Sequence, residues 1–186
     1  KTLQSKKAVF EDMKPYAPSN GAPAMFLGYP MSVAQEDMVL VFQINDEAIT
    51  KIMQFRHGYG KSQEDYLVGS DNLMRSNSYL SPKTHSLKAS FANPKRGSID
   101  TQATQAAFAG KKGVELITDY NNNPVYSAYN KIDINGDFSW AIISEIDEAE
   151  VMQMPNRLRN EIVISTIVLL AGILLVAIYL INTCLI

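Results

Sequence analysis

The stretch GVELITDYNNNPVYSAYNKIDINGDFSWAIISEID, residues 113–147, decides the fold. It breaks into three runs rich in β-branched and aromatic residues: GVELITDY, PVYSAYNKIDI and FSWAIISEID. Asn121-Asn122-Asn123 separates the first two, and Asn135-Gly136-Asp137 separates the last two. Asparagine and glycine tolerate the positive φ that tight hairpin turns require, so the three runs read as an antiparallel meander. Along the last run Phe138, Trp140, Ile142 and Ile146 fall on one face, with Ser139 and Glu145 on the other. A period of two predicts a sheet with one side in the core.

C-terminal to the meander, Asp147-x-x-Glu150 resembles a capping box and predicts a helix start, with Pro155 as a kink or break. Glu145/Asp147 and Glu148/Glu150 read as a solvated acidic face, with divalent-cation binding as the weaker alternative. Residues 162–181, IVISTIVLLAGILLVAIYLI, then run without one charge. Twenty helical residues span about 30 Å, the thickness of a bilayer core. A buried core helix of that length would carry a polar stripe, so the run reads as a transmembrane helix.

N-terminal to the meander the pattern is mixed. Residues 24–33, AMFLGYPMSV, enclose Gly28 and Pro30 and predict an edge or bulged strand. MVLVFQI at 38–44 is continuously apolar and predicts a buried strand. Asn45 is placed to cap a helix over 46–57, with Ile49, Ile52 and Met53 on one face. DYLVGS (65–70) and LMRS (73–76) flank Asp71-Asn72 as a hairpin-like pair. The polar stretch 77–97 reads as a long loop, and Asp100 as the cap of a short helix to about Ala109. No βαβ alternation occurs, so the fold class is α+β with an antiparallel sheet flanked by helices.

Composition removes several functions. Of 186 residues 46% are apolar and 19% charged, with a net charge of −2, which leaves no electrostatic footprint for nucleic acid. A single cysteine excludes a disulfide scaffold and a cysteine-based zinc site. His57 and His85 are isolated from each other and from any nucleophile motif, so neither a metal site, a cofactor nor an enzyme is expected.

The stretches YLVGSDNLMRS (66–76) and D-Y-x-x-x-P-V…W-A-I-x-x-E-I-D (119–147), followed by the apolar span, carry a resemblance. They resemble Cache domains, the PAS-like extracytoplasmic sensor modules of bacterial methyl-accepting chemotaxis receptors. The resemblance covers most of residues 8–186 and rests on structural rather than catalytic motifs. It implies a Cache-like sensor module over 1–147, a juxtamembrane linker over 148–161 and the second transmembrane helix over 162–181. It also implies a homodimer in the bacterial inner membrane with the sensor in the periplasm, and a cytoplasmic signalling domain beyond the second span. The long N-terminal helix of a complete module is not in the sequence, which points to the membrane-proximal part of a double Cache domain or a single module cut at its start. The expected function is small-molecule sensing relayed through the second transmembrane helix. The alternatives are a dimerising spacer that binds nothing, or the sensor of a histidine kinase or nucleotide cyclase.

Six residues are candidates for contact with an amino acid, organic acid or amine. Arg75 suits bidentate recognition of a carboxylate, or is paired within the protein with Asp71 or Asp119. Tyr66, Tyr120, Tyr126 and Tyr129 offer rigid walls with a polar tip, or ordinary sheet packing. Asp119 could hold an amine or cap its own turn. Arg56 reads as a cap for helix-end carbonyls, His57 as a helix-end residue, and Trp140 as core.

Overall fold

In the computed structural model, which describes residues 2–56, 58 and 60–184, the elements follow in this order. The first are α1 (Thr2–Ser5), β1 (Val9–Pro15), β2 (Pro23–Val33), β3 (Glu36–Ile44) and α2 (Asp46–Met53). Next come β4 (Glu64–Gly69), α3 (Pro82–His85), α4 (Leu87–Ala92), α5 (Pro94–Gly97) and α6 (Gln102–Phe108). The meander β5 (Gly113–Thr118), β6 (Pro124–Ile134) and β7 (Phe138–Asp147) leads to α7 (Glu148–Val151) and α8 (Gln153–Cys184). The chain divides into two compact units, Lys1–Glu148 and Ala149–Ile186. His57, expected at a helix end, lies outside the described residues.

The antiparallel meander forms as its turns dictate. Asn122, Asn135 and Gly136 all take positive φ (64°, 56° and 74°). β4 then pairs with β7, giving a four-stranded sheet in the order β4-β7-β6-β5 with every pairing antiparallel. LMRS folds back on β4 as the sequence suggests, but only as isolated bridges: Met74 to Val68 of β4, and Leu73 to Ser98. The first three strands form a separate antiparallel sheet in the order β1-β2-β3.

Both faces of the larger sheet are covered, where the pattern predicts one. On one side Tyr66, Val68, Ala141 and Ile143 pack with Ile99, Ala103 and Ala107 of the α6 segment. On the other, Leu67 and Trp140 pack with Met13 and Met25 of the small sheet and Met53 of α2. Each fully buried aliphatic side chain contributes about 1.5–3 kcal/mol. β7 is therefore enclosed by two layers, and Glu145, read as solvated, is only 3% exposed.

Other local expectations shift for identifiable reasons. β2 is the middle strand of its sheet, not an edge. Its pairing with β1 ends at Gly28, so Pro30 lies where, among the described residues, β3 is the one paired strand and a missing N–H is tolerated. β3 is a strand but not buried: Met38, Leu40, Val41 and Phe42 are 42–57% exposed. Its apolar run suits cover on both faces, and the described residues pair with only one of its edges. α2 stops at Met53, short of residue 57, although Asn45 Oδ1 does accept from Glu47 N. The stretch 77–97 is not a plain loop. Pro82 and Pro94 open α3 and α5, where the absent N–H costs nothing, and the Ser86 side chain caps α4. Thr101, not Asp100, caps α6, in a reciprocal capping box with Thr104. Pro155 sits in the first turn of α8, just after the break at Met152.

α8 is long and apolar enough to cross a bilayer, and none of its most apolar stretch is buried. Ser165 and Thr166 return their hydroxyls to Ile162 O, which removes two polar groups from an apolar surface.

A glycine is required at the end of β4. A Cβ on Gly69 would lie 2.2 Å from Arg75 Cζ. Gly69→Ala is expected to lower the stability of this unit by about 1–3 kcal/mol through overpacking. Gly172→Ala, with nothing within 4 Å, is the neutral control. Thermal melts followed by circular dichroism compare the two, and equal midpoints would contradict the steric reading.

Candidate functional site

Glu64 and Glu145 stand directly opposite each other on β4 and β7, in register. Both are buried, at 2% and 3% exposure. Glu64 Oε2 accepts from the Ser78 hydroxyl and the backbone N–H groups of Tyr79 and Leu80, and the Tyr120 hydroxyl donates to Oε1. Glu145 accepts from the Tyr66 and Ser127 hydroxyls, each at 2.8 Å. Two backbone amides and two hydroxyls stabilise one carboxylate, while hydroxyls alone serve the other. Burial raises the Glu145 carboxyl first, the charges of Asp119 and Glu64 add to it, and the two hydrogen bonds oppose it, leaving the group at about 7.

Aromatic rings close this cluster. Tyr66 and Tyr120 meet edge-to-face at 5.6 Å, and His85 lies on Tyr120 at 4.3 Å. Burial drives the phenols of Tyr66 and Tyr120 upward, and the neighbouring carboxylates add to it, so both stay protonated donors. Burial also lowers the His85 imidazole, whose Nδ1 sits 2.9 Å from Thr84 Oγ1.

Beside the cluster, a groove of about 740 Å³ runs between α6 and β5. Asp100, Gln105, Asp119, Tyr120 and Asn122 are part of its mostly polar lining, which contains two carboxylates and no lysine or arginine. Asp119 Oδ1 accepts from the N–H groups of Asn121 and Asn123, which fixes the carboxylate at the groove's edge. Tyr120 belongs to both places: it lines the groove and donates to Glu64.

The structure thus brings Asp119, Tyr120 and Tyr66 into one region and leaves the other candidates elsewhere. Arg75 is 2% exposed and bonded within the protein. Its Nε and one terminal nitrogen reach Asp12 at 3.0 and 2.8 Å, and Asp71 lies at 3.0 Å. Burial works against the charge, and these hydrogen bonds outweigh it. Asp71 was a foreseen partner; Asp12, which also accepts from Trp140 Nε1, was not. Tyr129 faces the core and donates to Glu115, whereas Tyr126, three positions before it, is half-buried on the other face of β6. Arg56 donates to the carbonyls of Gly60 and Gln63 and stacks over Tyr79 at 3.8 Å. Sequence reading missed Glu64, Ser127, His85 and Glu145. The available signal was the alternation Ala141-x-Ile143-x-Glu145, which puts the carboxyl on an apolar face. Among the described residues, no cluster of metal-ligating side chains occurs.

An antiparallel sheet in the order β4-β7-β6-β5, covered by short helices and continued by an apolar helix, is a PAS-like, Cache-type fold. Solved structures share it. The periplasmic sensory domain of the Campylobacter jejuni chemoreceptor Tlp1 is 18% identical with a TM-score of 0.56, matching 78% of this chain and 51% of that one. The ligand-binding domain of the Pseudomonas fluorescens chemoreceptor CtaA, in complex with L-isoleucine, is 14% identical with a TM-score of 0.51, over 81% and 56%. The ligand-binding domain of the Pseudomonas aeruginosa amino-acid chemoreceptor PctC, in complex with GABA, is 14% identical with a TM-score of 0.52, over 78% and 58%. The chain spans about half the length of these structures. No family model and no curated protein matches it.

Proposed function

We propose that this chain is the extracytoplasmic small-molecule sensing region of a bacterial chemoreceptor, with α8 as its anchor in the inner membrane. In this reading it works as a homodimer and relays binding through α8 to a cytoplasmic signalling domain. The ligand carries a primary amine, as an amino acid does, and sits in the groove between α6 and β5. One observation carries the assignment: the groove holds Asp100 and Asp119 and no basic side chain. Asp119 holds the ammonium group and Tyr120 forms the wall. Tyr66 stands behind Tyr120 rather than touching the ligand. L-Isoleucine and GABA, bound by the structurally similar CtaA and PctC, both carry an amino group. Binding shifts the population toward one arrangement of Tyr120, and the buried carboxylates carry the change to β7, which continues covalently into α7 and α8.

A thermal-shift panel of amino acids, amines and organic acids on the 186-residue chain in lipid nanodiscs tests this. A ligand at a hundredfold excess over Kd is expected to stabilise the sensor by about 2.7 kcal/mol. Asp119→Asn is expected to weaken an amine ligand about tenfold, as loss of a charge-assisted hydrogen bond does. Stabilisation by organic acids alone would overturn the amine assignment. The second reading, a spacer without a ligand, is favoured by one feature: the face of β4 and β7 beneath the α6 segment is filled by the protein's own side chains. Silence across the panel would support it.

A further inference from the structure

We infer that Glu145 is a proton-binding site that makes this module responsive to external pH, independently of any ligand in the groove. The geometry supplies the reasons. Glu145 and Glu64 occupy directly opposed positions on adjacent strands, where side chains approach within about 5.5 Å and like charges repel. Among the described ion pairs neither carboxylate has a lysine or arginine partner.

Among the described residues, the groups that bond to the pair or act on it electrostatically add either negative charge or a neutral group. β4 contributes Glu64 and Tyr66, and β6 contributes the Ser127 hydroxyl. The β5–β6 turn contributes Asp119 and Tyr120, and α3 contributes His85, held toward its neutral form by burial. α6 carries no ionisable side chain. Glu64 accepts from two backbone N–H groups, whereas Glu145 is served by hydroxyls alone, and Glu145 is the group that takes up the proton.

The position gives that proton a consequence. Glu145 lies two residues before the end of β7, where Asp147 N donates to Ser62 Oγ and α7 begins. Protonated, Glu145 donates one hydrogen bond and leaves Glu64 as the only charge of the pair. Ionised, it sets two anions side by side under the Tyr66–Tyr120 contact, so gaining or losing the proton repacks those rings.

Infrared difference spectra of the 186-residue chain in nanodiscs, between about pH 5.5 and pH 8.5, read the carbonyl stretch of a protonated carboxyl. One such band is expected to vanish with a midpoint near neutrality and to be absent from Glu145→Gln. The near-ultraviolet circular dichroism of the tyrosines is expected to change with the same midpoint. Tyr66→Phe removes a donor to the ionised form and is expected to raise the midpoint by about one pH unit. Should Glu145→Gln fail to fold, the Tyr66→Phe shift decides alone. A folded chain with no titrating band, a midpoint unmoved by Tyr66→Phe, or a titrating band with unchanged tyrosine dichroism would each overturn the inference.

Discussion

Asp12→Ala is expected to destabilise the unit Lys1–Glu148 by about 3–5 kcal/mol, because it strands a buried guanidinium. Asp12 gives Oδ1 to Arg75 Nε and to Trp140 Nε1, and Oδ2 to an Arg75 terminal nitrogen. One carboxylate therefore joins β1 of the small sheet to both the LMRS segment and β7 of the large one. Removing it leaves an arginine that is 2% exposed with Asp71 as its one remaining ion-pair partner among the described residues, and takes away the acceptor of the Trp140 indole N–H. Asp71 is 45% exposed, so water competes for it and Asp71→Ala is expected to cost only about 1 kcal/mol. Thermal unfolding of the two variants is expected to differ by about 10 °C. Equal losses would mean that Asp12 does not carry the clamp. Arg75→Lys is expected not to replace Arg75, since an ammonium group cannot span two carboxylates in the plane that the guanidinium occupies.

The same clamp shows what local sequence can and cannot reveal. Asp71 lies four residues from Arg75 and was visible as a partner; Asp12 lies 63 residues away and was not. The meander was legible because alternation and Asn-Gly turns are local, and α8 because its length alone nearly decides it. Cover is not local. β3 has the composition of an enclosed strand yet lies exposed, since its surroundings depend on chain that does not adjoin it. β7 presents Ser139 and Glu145 on one face, which looks wet until the α6 segment covers that side of the sheet. Short helices in 77–97 were hidden for a different reason. Proline stops a helix from within but starts one at its first position, and composition does not distinguish the two.

The buried carboxyl that sequence reading left in solvent sets the second large effect. Glu145 rises from the ordinary glutamate value of 4.5 to about 7 on folding. Between those values the folded state holds a proton that the unfolded state has released. Its contribution to stability is therefore complete below about pH 4.5 and is lost as pH rises through about 7. The displacement corresponds to about 3 kcal/mol. His85 works in the opposite sense. Its folded value is lowered, so its contribution is present above the ordinary histidine value of 6.5 and is lost as pH falls. A glutamine in place of Glu145 would keep the shape and the hydrogen bonds of the protonated side chain and could not ionise. Glu145→Gln is therefore expected to match the wild type only at about pH 4 and to be more stable by about 2–3 kcal/mol at about pH 8. Urea unfolding followed by the fluorescence of Trp140, the one tryptophan, measures both proteins across this range. Parallel stability curves from about pH 5 to pH 8 would show that Glu145 ionises in the folded state as it does in the unfolded chain. A gap that opens with rising pH is the outcome that two buried carboxylates on neighbouring strands require.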